Sequence, residues 1–272
     1  MANEIVITGA SGFVGQALMK TFKKNGFLVT GLSRKVMSGL TTVNNYYDIP
    51  FSDNAILIHL AQSRNISDLF NDEDINLCQT LFERSWRHII YASSAVVYGD
   101  LKDSVRSPEE SITGLNDYSR VKLACEKIAS NFGGTSLRLT NLYGPGMGID
   151  TVISDILRQI PSKEPLKLID ILPIRDFLWI EDAARCFVSA CQIMPGEILN
   201  VGSGISKSIA ETAYLATLLA GEDSRSIIGK NSSSQLSCIR LDITKTRLLL
   251  NWSPEVDISA GLLYLLTKKN EK

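Results

Sequence analysis

The order of apolar and polar positions along this chain alternates between two periods. Glu4-Ile5-Val6-Ile7-Thr8 is a short apolar run ending in a glycine-rich turn, the pattern of a buried strand. From Phe13 to Lys24 the spacing becomes helical, and Asn25-Gly26 closes that helix as a C-cap. Further strands are predicted at Phe27–Leu32, Ala55–Leu60 and His88–Ala92, with a helix over Asp74–Arg87 before the last of these. Ser119–Asn131 reads as helix and Thr135–Leu139 as the next strand. Strands alternating with helices call for a parallel sheet with right-handed crossovers.

From Leu142 the texture changes. Gly144-Pro145-Gly146 interrupts the pattern, later elements are less regular, and a polar loop, Lys230–Ser237, splits the C-terminal part. Ser232–Ser234 is the one simple tract, and there is no internal repeat. Residues 1–141 are expected to form one unit and residues 142–272 a smaller lobe, with some of its segments returning to the sheet.

Composition narrows the class of partner. The chain has 272 residues and a net charge of -1, so no general field attracts nucleic acid or anionic lipid. Cys78, Cys125, Cys186, Cys191 and Cys238 are scattered and odd in number, which argues against a disulfide framework or zinc site and fits a reducing compartment. No apolar run approaches the roughly 18 residues of a membrane span, and no basic leader precedes the first strand. The expectation is a cytoplasmic protein, without metal, nucleic acid or membrane as partner.

The turn after the first strand carries the first chemistry. Thr8-Gly9-Ala10-Ser11-Gly12-Phe13-Val14-Gly15 places glycines at i, i+3 and i+6 between a strand and a helix, the context of a dinucleotide fingerprint. The first glycine permits the turn, the second lets backbone approach pyrophosphate, and the third lets helix pack on strand. The expected fold is therefore α/β, a Rossmann-type doubly wound parallel sheet with a smaller C-terminal substrate-binding lobe. The second strand ends in Gly31-Leu32-Ser33-Arg34-Lys35, with no acid to bind a ribose 2′-hydroxyl and two cations instead. Ser33 and Arg34 would receive a 2′-phosphate, so the expected cofactor is NADP, with NAD as the alternative.

Tyr118 and Lys122 stand at i and i+4, on one face of a helix. An ammonium beside a phenol favours the phenolate and would lower a pKa of about 10 toward neutrality. Such a pair is common on solvated helix faces. It gains meaning from the upstream glycine loop and from Ser93-Ser94 at a strand end, which a parallel sheet brings to the same crevice.

These motifs together resemble the extended short-chain dehydrogenases/reductases, in their NAD(P)-dependent nucleotide-sugar epimerase/dehydratase group. The resemblance rests on the glycine segment Thr8–Gly15, on Ser93-Ser94-Ala95-Val96-Val97-Tyr98-Gly99, on Tyr118-x-x-x-Lys122 and on Leu137-Arg138-Leu139-Thr140-Asn141-Leu142-Tyr143-Gly144-Pro145-Gly146. Ile58-His59-Leu60-Ala61, Arg175-Asp176-Phe177 and Asn200-Val201-Gly202-Ser203-Gly204 extend it over almost the whole chain. It implies that Ser94, Tyr118 and Lys122 are catalytic, with Ser94 also touching substrate and Lys122 also binding the nicotinamide ribose. Gly9, Ser11, Gly12, Phe13, Val14, Gly15, Ser33, Arg34, Asp48, Leu60 and Ala61 are the remaining expected cofactor residues. Asn141 and Arg175 match positions that hold a substrate diphosphate, a task that suits a planar guanidinium. A homodimer through the helices near Asp74–Arg87 and Ser119–Asn131 is implied as well.

Departures from the family pattern bear on the reaction. Ala95 and Val96 stand where dehydratases carry Asp-Glu, and Ala95 also replaces the cysteine base of ring epimerases. The two histidines, His59 and His88, both lie in strands and read as packed residues. Gln62 replaces a usual glycine. What remains needs Tyr118, Lys122, Ser94 and a nicotinamide alone. That leaves an NADPH-dependent reductase of a nucleotide-linked keto sugar, such as a 4-keto-6-deoxyhexose, preferred for the missing acid after the second strand. A C4 epimerase holding NAD is the alternative, followed by a non-catalytic dinucleotide sensor.

Overall fold

Seven segments from both halves of the sequence lie side by side in one parallel sheet. The computed structural model describes residues 4–50, 52–62, 72–112, 116–231 and 235–270. In chain order the first half runs β1 (Glu4–Thr8), α1 (Phe13–Lys24), β2 (Leu28–Ser33), β3 (Thr41–Thr42), β4 (Ile56–His59), α2 (Asp72–Phe82), β5 (His88–Ser94), β6 (Val105–Arg106), α3 (Asp117–Asn131) and β7 (Thr135–Leu139). A single 3₁₀ turn, Ala95–Tyr98, follows β5. The second half runs β8 (Asn141–Tyr143), α4 (Val152–Gln159), β9 (Leu166–Leu168), β10 (Ile174–Trp179), α5 (Ile180–Ala190), β11 (Ile198–Val201), β12 (Ser206–Ser208), α6 (Ile209–Leu219), β13 (Ile227–Gly229), β14 (Arg240–Leu241), α7 (Thr244–Leu250) and α8 (Ile258–Asn270).

The strand order is β11-β7-β5-β4-β1-β2-β3. β1 pairs in parallel with β2 on one side and β4 on the other. The connections therefore reverse direction at β1, and the carboxyl ends of the strands open a crevice there. Alternation along the strands divides the core. Ile5, Ile7, Ile56 and Ile58 pack toward Leu18, Phe22 and Phe187 of α1 and α5. Val6 and Leu57 point the other way, toward Leu81, Phe82, Cys125 and Ala129 of α2 and α3. β11 returns from the second half to the sheet edge beside β7.

The rest of the second half builds its own core. β8, β10 and β12 form a three-stranded sheet, and β9 pairs with β13. Tyr143, Ile153, Ile156, Phe177, Trp179 and Leu262 pack beneath them. The polar segment Lys230–Ser237 is anchored at both ends, by Lys230 N–H to Leu168 C=O (2.8 Å) and by Ile174 N–H to Ser237 C=O (2.8 Å). Ser232–Ser234 lie outside the described residues.

Several boundaries shift by one or two residues from the expectation, and the largest difference is at the end of α2. α2 stops at Phe82 rather than reaching Arg87. The Arg84 guanidinium donates to the carbonyls of Ile49 and Tyr47, Trp86 Nε1 donates to Leu81 C=O (2.7 Å), and Arg87 N–H donates to Ala55 C=O (3.0 Å). Helical spacing continues through this segment, but tertiary bonds turn it into β5. Among the described residues no helix is long and apolar enough to cross a membrane.

Candidate active site

The glycine loop closes for steric reasons. Gly9 has φ +69°, and a Cβ on it would stand 2.9 Å from Ala61 N. A Cβ on Gly15 would lie 2.5 Å from the Gly9 carbonyl oxygen and 2.6 Å from Ala10 Cα, so only glycine lets α1 sit this close to the loop. Gly12 is different. Apart from Gly9 O at 3.3 Å, a Cβ there would meet nothing within 4 Å, and Gly12 lines the main cavity. Gly12 is also the N-cap of α1, whose first turn has no side-chain cap. Bare helix-terminal N–H groups beside an open glycine suit pyrophosphate.

A cavity of about 580 Å³ joins this loop to the proposed proton-transfer residues. Gly9, Gly12, Phe13, Val14, Gly15 and Leu60 line one end, and Ser94, Tyr118, Lys122 and Asn141 line the other. Ser94 ends β5, and the α3 N-terminus carries Tyr118 past it. That helix starts where it does because Asn116 and Ser119 form a reciprocal capping box. Lys122 is buried, and its Nζ donates to Ala92 C=O (2.7 Å) while lying 5.9 Å from the centroid of the Tyr118 ring.

The electrostatics differ from the sequence expectation. Burial raises the Tyr118 phenol above its ordinary range, and the hydrogen bond with Ser94 pulls it partly back. Burial likewise pushes Lys122 down. With its phenol above the ordinary range, Tyr118 holds its proton at neutral pH. His59 is a packed strand residue: burial, with Lys122 adding, lowers it to about 3. Its Nδ1 lies 2.8 Å from Thr8 Oγ1, which also accepts from the N–H groups of Leu60 and Ala61. His88, lowered to about 4 by burial, pairs with Thr135.

A second cavity, about 330 Å³, opens on the other side of Ser94 and contains Ala95, Val96, Asp100, Asn141 and Arg175. Arg175 Nη1 donates to the carbonyls of Ile174 and Ser237, and Nη2 donates to Ser237 Oγ (2.6 Å) and approaches Asp100 (3.4 Å). Asn141 Nδ2 donates to Asp176 C=O (3.3 Å), and the residue lines both cavities.

The remaining cofactor candidates sit outside the main cavity. Ser33 is fully buried, and its Oγ accepts from Lys35 N–H (2.9 Å) in the turn that follows β2. Arg34 is exposed and lies 5.7 Å from the centroid of the Tyr46 ring, while Tyr46 Oη accepts from Gly9 N–H (3.3 Å). Ser11 flanks the loop, its carbonyl accepting from Gln16 Nε2 (3.0 Å). Asp48 is exposed in the turn that follows Asn45, and Ala61 packs against Gly9.

Several residues that shape the site are not among the candidates, although all but Glu126 lie inside the sequence motifs. Arg138 and Glu126 form a buried two-point ion pair (3.0 and 2.7 Å), and Glu126 also accepts from Ser93 Oγ (2.5 Å). Arg138 Nη1 donates to Tyr98 Oη (2.9 Å), which donates to Asn200 Oδ1 (2.6 Å). This network ties β5, α3, β7 and β11 together directly behind Ser94. Asp176, buried, accepts from Ser203 N–H and Oγ–H and from Gly204 N–H, linking two of the sequence motifs; burial raises it to about 6 despite those bonds. Glu126 on α3 and Arg138 on β7 are 12 residues apart, and no local pattern in the sequence marks them as partners.

Comparison with known proteins agrees with this geometry. The profile of the NAD dependent epimerase/dehydratase family matches residues 5–202. The chain is 27% identical to dTDP-4-dehydro-6-deoxyglucose reductase of Escherichia coli over 96% of this chain and 95% of that protein. The structure of UDP-glucuronic acid 4-epimerase from Bacillus cereus, in complex with UDP-glucuronic acid and NAD, superposes with a TM-score of 0.81 at 22% identity, covering 98% and 99% of the two chains. RMD from Pseudomonas aeruginosa, complexed with NADPH, superposes with a TM-score of 0.83 at 23% identity, covering 99% of each. At these identities the two structures show the fold. With its Rossmann-type sheet, its glycine loop and a profile match over most of its length, the chain belongs to the NAD dependent epimerase/dehydratase family and is an enzyme that uses a nicotinamide dinucleotide.

Proposed function

We propose that this enzyme reduces the keto group of a nucleotide-linked sugar, with NADPH as reductant. The observation that carries the choice is the end of β2. No carboxylate stands there to take a ribose 2′-hydroxyl, and exposed Arg34 is anchored over Tyr46 beside the glycine loop. A 2′-phosphate at that position would meet a cation. Gly12 and the uncapped first turn of α1 would hold the pyrophosphate, and Lys122 the nicotinamide ribose.

When bound, the dihydronicotinamide supplies hydride. The protein's own share is proton delivery and orientation. Ser94 Oγ hydrogen-bonds the carbonyl oxygen, and Tyr118, kept protonated by its burial, gives its proton to that oxygen as charge develops on it. Lys122, fixed by Ala92 C=O, holds a positive charge behind the phenol as the proton leaves. Ala95 and Val96 bring no acid or thiol to the cavity beside Ser94, which is in keeping with simple reduction. Asn141 and Arg175 would face the substrate diphosphate. The helices α2 and α3 are the proposed dimer face.

C4 epimerisation with tightly held NAD is the second reading, favoured by the likeness to the NAD-bound 4-epimerase structure. Releasing and identifying the nucleotide in purified protein separates the two: stoichiometric NAD overturns the reductase. Consumption of NADPH with an NDP-4-keto-6-deoxyhexose supports it. Arg34→Asp is expected to raise the KM for NADPH at least tenfold while changing that for NADH less than threefold, since one lost phosphate contact is worth about 1.5–3 kcal/mol. An unchanged ratio in steady-state kinetics would remove Arg34 from cofactor choice.

A further inference from the structure

Arg175 on β10 and Lys207 on β12 stand directly opposite each other in an antiparallel pair. Like charges at opposed positions repel, and an anion between them relieves that repulsion. Both side chains line one cavity of about 180 Å³, together with the hydroxyl residues Ser203 and Ser259. Arg175 also borders the cavity that holds Ser94 and Asn141, so it marks the junction of the two. Phe177, two residues on from Arg175, is opposite Asn141 on β8. Asn141, Arg175 and Lys207 therefore share one face of the three-stranded sheet, in a row leading away from Ser94.

The two cations differ in how far they are committed. Arg175 is partly balanced by Asp100 at 3.4 Å. Among the described residues Lys207 makes no ion pair. The nearby acids take their hydrogen bonds from other donors: Glu211, which Lys207 helps to hold ionised at longer range, accepts from Ser208 N–H (2.7 Å) and Oγ–H in a capping box, and Asp257 accepts from Ala260 N–H (2.8 Å) at the start of α8. One guanidinium already shared with a carboxylate is a weak counter to a diphosphate, and a second cation on the same face supplies what is missing.

We propose that Lys207 is the second cation of the diphosphate site, taking the phosphate nearer the nucleoside while Arg175 takes the one nearer the sugar. The inference rests on the nucleotide-sugar reading above. A lysine suits the outer position, because its three rotatable donors follow a phosphate whose orientation the arginine fork has already set.

The test is calorimetric titration of the whole protein with UDP, dTDP, GDP and CDP, the cofactor site being saturated with NADPH or NAD. Lys207→Met is expected to raise the Kd of the preferred nucleoside diphosphate about tenfold, equivalent to 1.4 kcal/mol, and to flatten its salt dependence. Lys207→Arg should stay within threefold of the parent, and NADPH affinity and melting temperature should not move in either variant. An unchanged Kd in Lys207→Met, or a loss that Lys207→Arg fails to restore, overturns the inference alone. Absence of binding by all four diphosphates to the parent protein overturns the nucleotide-sugar reading, and the inference with it.

Discussion

Tyr118→Phe is expected to lower turnover by about 10²–10⁴-fold while the Kd for the dinucleotide stays within about threefold of the parent. The phenyl ring keeps the packing of α3 against the crevice and loses only the hydroxyl that bonds with Ser94. A factor of 10³ corresponds to about 4 kcal/mol of transition-state stabilisation, the size expected when a positioned acid is replaced by water. Since burial holds the phenol above its ordinary range, the parent enzyme's reductive rate should not fall through the neutral range from loss of this proton. Stopped-flow measurement of NADPH oxidation and equilibrium titration of the cofactor check the two halves of the expectation. Turnover within fivefold of the parent would remove Tyr118 from the reaction.

Arg138→Met should destabilise the fold by about 3–5 kcal/mol, because it leaves the Glu126 carboxylate buried without its counter-ion. Both side chains are only 4% exposed, and the pair makes two hydrogen bonds. For a chain of this size the loss corresponds to a fall in Tm of roughly 10 °C. The double variant Glu126→Gln, Arg138→Met should recover at least half of it, since a neutral amide costs far less to bury than a carboxylate and its carbonyl still accepts from Ser93 Oγ–H. Thermal unfolding of parent, single and double variants checks this. A double variant no more stable than Arg138→Met would mean that Arg138 contributes by packing against Tyr98 rather than by charge, the two being in cation–π contact at 4.9 Å.

These two residues illustrate what can be read in a sequence and what cannot. Tyr118 is legible because a phenol and an amine at i and i+4, downstream of a glycine loop, form a pattern that the order of residues alone displays. Arg138 lies inside a recognisable motif, yet nothing in its neighbours says that it pairs with Glu126 on α3 and Tyr98 beyond β5. Ser33 is legible as a position at the end of β2, while its burial and its bond from Lys35 N–H are not. The helix over Asp74–Arg87 had the right period throughout, and was shortened to Phe82 because Arg84, Trp86 and Arg87 form tertiary bonds that periodicity does not record.

The sequence by itself determined the alternation of strand and helix and the glycine loop, with Gly15 required by its contacts with Gly9 and Ala10, and it singled out Tyr118, Lys122 and Ser94 as candidates. Each of these depends on interactions within a few residues, or on a period that neighbouring positions carry. Only the tertiary structure decided that Tyr118 keeps its proton, that Arg175 is shared between Asp100 and Ser237, and that Lys207 stands opposite it on the next strand. Those properties come from burial and from distances between segments far apart in the chain, and neither is a function of local residue order.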